Sequence, residues 1–239
     1  MKMPETAMVL AAGLGKRMRP VTETMPKPLV RVAGKPLIDW GLDALEDAGV
    51  PKAVINVHYL ADQLDAHLAQ RHRPRIILSD ERTLLLDSAG GIINALRELG
   101  PVPFFVLNAD TFWIGDATRP NLNALAEVWD ESRMDILLMT ARLDQETGYE
   151  GKGDFVADEA GRLSRARDVA GEPIIYAGAG IIHPRIFADA EPGVASLNRY
   201  FDQAIAQGRL YGMPMTGHWL TVGTPEAIGE AEAALSAFV

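Results

Sequence analysis

The chain has no cysteine, which excludes disulfides and thiolate-held metals and fits a reducing compartment. It also lacks any apolar run near the roughly 20 residues needed to cross a bilayer. Its first residues, Met-Lys-Met-Pro-Glu-Thr-Ala-Met-Val-Leu, hold neither a long apolar region nor a cleavage signal. The expectation is a soluble, cytoplasmic protein. Positive charge is scarce: 23 Lys and Arg stand against 32 Asp and Glu, leaving a net charge of −9. That balance argues against nucleic acid or an anionic membrane as a partner. Neither His-Glu-x-x-His nor Gly-x-Ser-x-Gly occurs, so zinc and serine hydrolysis lack support. The five histidines are scattered, and His183 and His218 read as structural.

What is present suits one domain, since 239 residues of which 48% are hydrophobic can bury a sizeable core. Apolar runs predict strands at 7–11, 53–57, 75–78, 104–107, 136–140, 174–182 and 219–222. A hairpin is expected at 155–163, turning on Asp158-Glu159-Ala160-Gly161. Helical spacing predicts helices at 36–48, 61–70, 88–99, 122–129 and 196–207, and a last one started by Thr224-Pro225-Glu226. Strands alternating with helices imply an α/β fold. We expect a doubly wound, mainly parallel mixed sheet, with a small antiparallel addition in the second half. Ligands of such sheets bind beyond the carboxyl ends of the strands.

One stretch stands against the acidic background. Val9 to Val30 opens as a buried strand, breaks at Gly13 and Gly15, and then supplies Lys16, Arg17, Arg19 and Lys27. Between Gly13 and Pro28 the only acid is Glu23. Glycines let backbone N–H groups approach a ligand, successive N–H groups form an anion-binding concavity, and Arg offers a planar fork to phosphate oxygens. The stretch reads as a polyphosphate cradle. It is not a P-loop, because Lys16 is followed by Arg17, and Met18 stands where a dinucleotide fingerprint needs its third glycine. Asp110 closes the fourth strand and can cap a turn or hold Mg²⁺, which takes hard oxygen ligands. In Leu86-Asp87-Ser88-Ala89-Gly90-Gly91, Ser88 can cap the following helix, and the glycines can admit a flat ring against the backbone.

Leu10 to Thr22 together with Pro26-Lys27-Pro28 closely resembles the pattern of the sugar-1-phosphate nucleotidylyltransferases. The resemblance extends from about residue 7 to 230. It implies a Rossmann-like nucleotidyltransferase domain over 1–239, with a nucleotide-binding half at 1–115 and a sugar-binding half at 116–239. The nucleotide would meet Leu10, Ala11, Ala12, Gly13, Gly15, Lys16, Arg17, Asp87, Ser88 and Gly90. The sugar phosphate would meet Lys27, Asn108, Gly153, Asp154, Tyr176 and Gly178. Arg17 and Lys27 would be the catalytic residues, and Asp110 would hold Mg²⁺. Where the family commonly has a second metal-binding Asp, in His-Trp-x-Asp-Val-Gly-Thr, this chain has Thr221. The implied partners are a nucleoside triphosphate and a sugar 1-phosphate, in a monomer or small homo-oligomer. Within the family the motifs are most similar to those of enzymes using UTP and N-acetylmuramate 1-phosphate. Mannose-1-phosphate guanylyl transfer and phosphocholine cytidylyl transfer are alternatives. A nucleotide-sugar binding protein with weakened catalysis is the rival from another class.

Overall fold

The computed structural model describes residues 3–115 and 120–238; the expected start of the second half, 116–119, lies outside them. The strands are β1 (Thr6–Leu10), β2 (Arg31–Val32), β3 (Lys35–Pro36), β4 (Lys52–Val57), β5 (Arg75–Asp80), β6 (Phe104–Asn108), β7 (Thr111–Ile114), β8 (Ile136–Arg142), β9 (Glu146–Thr147), β10 (Phe155–Ala157), β11 (Leu163–Arg165), β12 (Ile174–Ile182), β13 (Leu210–Pro214) and β14 (His218–Thr221). The helices are α1 (Leu37–Asp47), α2 (Ala61–Leu68), α3 (Asp87–Leu99), α4 (Asn121–Val128), α5 (Leu197–Ala206) and α6 (Glu226–Ala237). Among the described residues, no helix is long and apolar enough to cross a membrane.

The central sheet runs β13-β8-β12-β6-β1-β4-β5, and the hairpin β10–β11 joins β12 through Phe155 and Ile174. All seven strands of that row are parallel except β12, which runs against both β6 and β8. The mainly parallel mixed sheet is as expected. Alternation along the strands sends side chains to two apolar layers. Val9, Ile55 and Leu107 meet Leu42 of α1, Leu64 of α2 and Leu125 of α4. Met8, Val54 and Val106 meet Ile92 of α3 and Phe201 of α5.

A smaller sheet, β7-β14-β9, was not expected. It covers a third apolar cluster of Val30, Leu37, Phe112, Leu220, Val222 and Ala231. Met18 is fully buried in that cluster, so the residue in place of a third glycine anchors the cationic loop to α6 and the small sheet. Strand β14 ends at Thr221 rather than 222, and the Val222 N–H donates to the Asp110 carbonyl at 3.1 Å. Strand β13 was also missed, since Gly212 and Pro214 obscure its pattern. Gly212 packs closely there: a Cβ would lie 2.8 Å from a terminal methyl of Leu163.

Candidate active site

The site opens where β1, β4 and β6 end. A buried polar relay fixes its walls. Asn56 of β4 accepts the Ala11 N–H at 2.7 Å and donates to Glu81 at 2.8 Å. Glu81 then accepts the Leu86 N–H at 3.0 Å. Asn56 is 3% exposed and Glu81 2%, so the loop after β1 is tied to the loop before α3 through groups hidden from water. Asparagine inside the apolar run Ala53-Val54-Ile55-Asn56-Val57 was the sequence signal for this relay, and it was passed over. Asn56→Ala leaves the Ala11 N–H without its acceptor, at a cost of about 1–3 kcal/mol. Its melting temperature should fall by about 2–10 °C and its nucleotide affinity should drop. A calorimetric melt matching the parent would remove the relay from this role.

The relay also accounts for the paired glycines of α3. A Cβ on Gly91 would lie 2.7 Å from both Asn56 and Glu81, and one on Gly90 would lie 2.3 Å from the Gly193 carbonyl. Gly90 therefore seats the 193–195 backbone instead of receiving a flat ring. Ser88 does not cap its own helix either. Its hydroxyl accepts the Leu197 N–H of α5 at 2.9 Å, and Asp87, at φ +61°, accepts the Ser88 N–H at 2.5 Å.

Gly15 adopts a left-handed φ of +59° and carries the loop back over Lys27, whose Cβ would be 3.1 Å from a Cβ at position 15. Thr22 locks the turn by donating to the Gly15 carbonyl at 2.8 Å. Short 3₁₀ turns at Lys16–Met18, Val21–Glu23 and Lys27–Leu29 follow. They leave Lys16, Arg17 and Arg19 exposed and turn Lys27 inward. The Lys27 ammonium sits 2.5 Å from a carboxylate oxygen of Asp110. Arg17 lies over Gly223, with Nη1 3.3 Å from where a Cβ there would be.

A cavity of about 470 Å³ is lined by Leu10, Ala11, Ala12, Gly13, Lys27, Asn56, Asp87, Ser88, Asn108 and Asp110, with Leu85 and Val194 as apolar walls. A second, of about 250 Å³, shares Leu10, Ser88 and Asn108 with it and adds Asp154, Tyr176, Arg165 and Asn198. Sites of this kind are typically ~300–1,000 Å³. Gly15, Lys16 and Arg17 stand on the loop beyond the lining. Gly153 and Gly178 do not line either cavity, contrary to expectation. Gly153, at φ +93°, packs on Pro173, and Gly178, at φ +73°, packs on Thr111. Arg165, Asn198, Asn56 and Leu85 are lining residues that the sequence did not single out.

Asp154 accepts from the Tyr149 hydroxyl at 3.2 Å and from the Tyr176 N–H at 2.9 Å. Burial, reinforced by Asp154, pushes the Tyr149 hydroxyl up to about 12. Burial, and then the charges of Asp110 and Asp154, also raises Tyr176. Both phenols therefore stay protonated near neutral pH. The Tyr176 hydroxyl is buried and has no hydrogen-bond partner among the described residues.

No group of three or more His, Asp or Glu among the described residues could hold a metal. Among the described residues, Asp110 is the carboxylate paired with Lys27. Thr221 faces Thr111 across β14 and β7, next to Asp110 in the chain. Mg²⁺ is commonly held by one or two carboxylates together with substrate phosphates. This donor set fits an ion shared with a phosphate ligand and does not form a complete protein cage.

Residues 7–205 match the MobA-like NTP transferase domain. The chain is 46% identical to N-acetylmuramate alpha-1-phosphate uridylyltransferase of Caulobacter vibrioides, over 98% of both chains. It is 37% identical to the protein of the same name from Neisseria meningitidis, over 97% of this chain and 99% of that one. Among solved structures, the inositol-1-phosphate CTP transferase from T. maritima aligns with a TM-score of 0.76 over 97% of each chain. Identity there is 19%, so that likeness concerns the fold. With a glycine loop ahead of an inward lysine, a single carboxylate at the end of β6, and relatives matched over nearly their whole length, the chain belongs to the MobA-like NTP transferase family and is a nucleotidyltransferase.

Proposed function

We propose that the protein joins UTP to N-acetylmuramate 1-phosphate and releases pyrophosphate. A phosphate oxygen of the sugar 1-phosphate attacks the α-phosphorus of UTP. The bond from that phosphorus to the oxygen bridging to the β-phosphate breaks, and pyrophosphate leaves. The observation that carries this reading is Lys27, held on Asp110 and lining the larger of two cavities that share Leu10, Ser88 and Asn108 as walls. The larger takes the nucleotide and the smaller the sugar. The relatives from Caulobacter vibrioides and Neisseria meningitidis support the choice of UTP and N-acetylmuramate.

The nucleophile needs no general base, because a phosphate monoester with a second pKa of about 6 is mostly dianionic at neutral pH. The difficulty is bringing two polyanions together, so positioning and charge neutralisation are the protein's contribution. Lys27 spans the α-phosphate and the incoming sugar phosphate. Arg17, exposed on the loop, neutralises the departing pyrophosphate. The backbone of Ala11 to Gly13 holds the nucleotide against Leu85 and Val194. Asp110 is the residue that would hold Mg²⁺, which when bound neutralises phosphate charge. Thr221 favours a second reading, a nucleotide-sugar binding protein.

The test is pyrophosphate release with Mg²⁺ across UTP, CTP, GTP and dTTP, each paired with N-acetylmuramate, N-acetylglucosamine and mannose 1-phosphates. UTP with N-acetylmuramate 1-phosphate should exceed every other pair by at least about tenfold, the discrimination that one well-placed polar contact supplies. Nucleotide binding without release from any pair would favour the binding protein.

A further inference from the structure

Resting on that reading, we propose that Arg165 selects the sugar by binding the carboxylate that N-acetylmuramate carries on its lactyl ether and N-acetylglucosamine lacks. Among the described residues lining the smaller cavity, Arg165 is the only cation. Its guanidinium lies over the Phe155 ring, 4.9 Å from the centroid, and 5.8 Å from that of Phe201. Nε donates to Asp202 at 2.7 Å, and Nη2 donates to the carbonyl and the side-chain oxygen of Asn198 at 3.1 and 3.0 Å. These bonds use Nε and Nη2 and leave Nη1 outside them, on a side chain 13% exposed.

This is a guanidinium fixed by stacking and by three hydrogen bonds, with one end of its fork unused at a cavity wall. A carboxylate oxygen would bind at Nη1 through a charge-assisted hydrogen bond. A tie between β11 and α5 would not need an arginine. The Asp202 end of the ion pair is 53% exposed, and a pair so open to water contributes little to stability. The other charged group of the cavity, Asp154, already has its two oxygens engaged by Tyr149 and Tyr176.

The experiment compares kcat and KM for N-acetylmuramate 1-phosphate and N-acetylglucosamine 1-phosphate at saturating UTP, in the parent, Arg165→Gln and Arg165→Lys. The parent should prefer the lactyl-bearing sugar. Arg165→Gln should lose about 10–100-fold in kcat/KM for N-acetylmuramate 1-phosphate, mostly through KM, as expected for one charge-assisted hydrogen bond. For N-acetylglucosamine 1-phosphate it should change by less than about threefold, because that contact is never made. Arg165→Lys keeps the charge without the fork and should recover part of the loss. Should Arg165→Gln fail to bind UTP as the parent does, Arg165→Lys carries the same comparison. Equal losses on both sugars, or no loss on either, would overturn the assignment and leave the proposed reaction standing. A parent without preference for N-acetylmuramate would overturn both, and the parent alone reveals it.

Discussion

Lys27→Ala should lower turnover by about three orders of magnitude while leaving the fold in place. Two phosphates have to meet beside this one inward cation, and removing a preorganised donor from such a site typically costs ~10²–10³ in rate. The scaffold has little reason to notice. Alanine keeps the Cβ that packs beneath Gly15. The lost ion pair has its Asp110 end 34% exposed, which limits its contribution to about 1 kcal/mol. The melting temperature should therefore move by no more than ~4 °C. Quench-flow pyrophosphate release and a thermal melt on the same preparation test both halves. Turnover within tenfold of the parent would remove Lys27 from the reacting phosphates.

Asp110→Asn comes next in size, with a loss of about 10²–10³ in turnover. Asparagine preserves the shape and still offers Lys27 an oxygen, but a neutral amide is a weak ligand for a hard cation. The Mg²⁺ concentration giving half-maximal rate should rise with the loss, which separates ligand chemistry from a mere packing fault. An unchanged metal dependence would contradict the role given to Asp110. Thr221→Asp is the companion. If one carboxylate suffices, it should stay within about fivefold of the parent. A hundredfold gain would mean that Thr221 holds the parent back, which is what the binding-protein reading requires.

The sequence disclosed the features that are local. Gly13, Gly15 and the cations around them lie within one short stretch, and the β-branched runs of β4 and β12 announce themselves. Three kinds of feature were hidden. Asn56 and Glu81 meet only because β4 and β5 are adjacent and parallel, and 25 residues of chain separate them. Gly90, Gly153 and Gly178 looked like ligand contacts, because a glycine demanded by packing and one demanded by a ligand are identical in one dimension. Arg165, the last residue of β11, carries no local signal, because its partners Asn198 and Asp202 lie 33 and 37 residues away in the chain. The small sheet escaped notice because β9 has two residues and β7 begins just after β6 ends.

The lone reversed strand has a consequence for engineering. Strand β12 is paired on one side to β6 and on the other to β8, so strands from the first and second halves of the chain are stitched into one sheet. Phe104, Phe105 and Val106 of β6 are fully buried. A fragment cut at residue 115 would present this strand as a raw, apolar, unpaired edge, the kind that recruits other chains. The front of this protein is thus not a portable cassette. Specificity for a new sugar would have to be written into the walls around β12, because the back cannot be exchanged as a block.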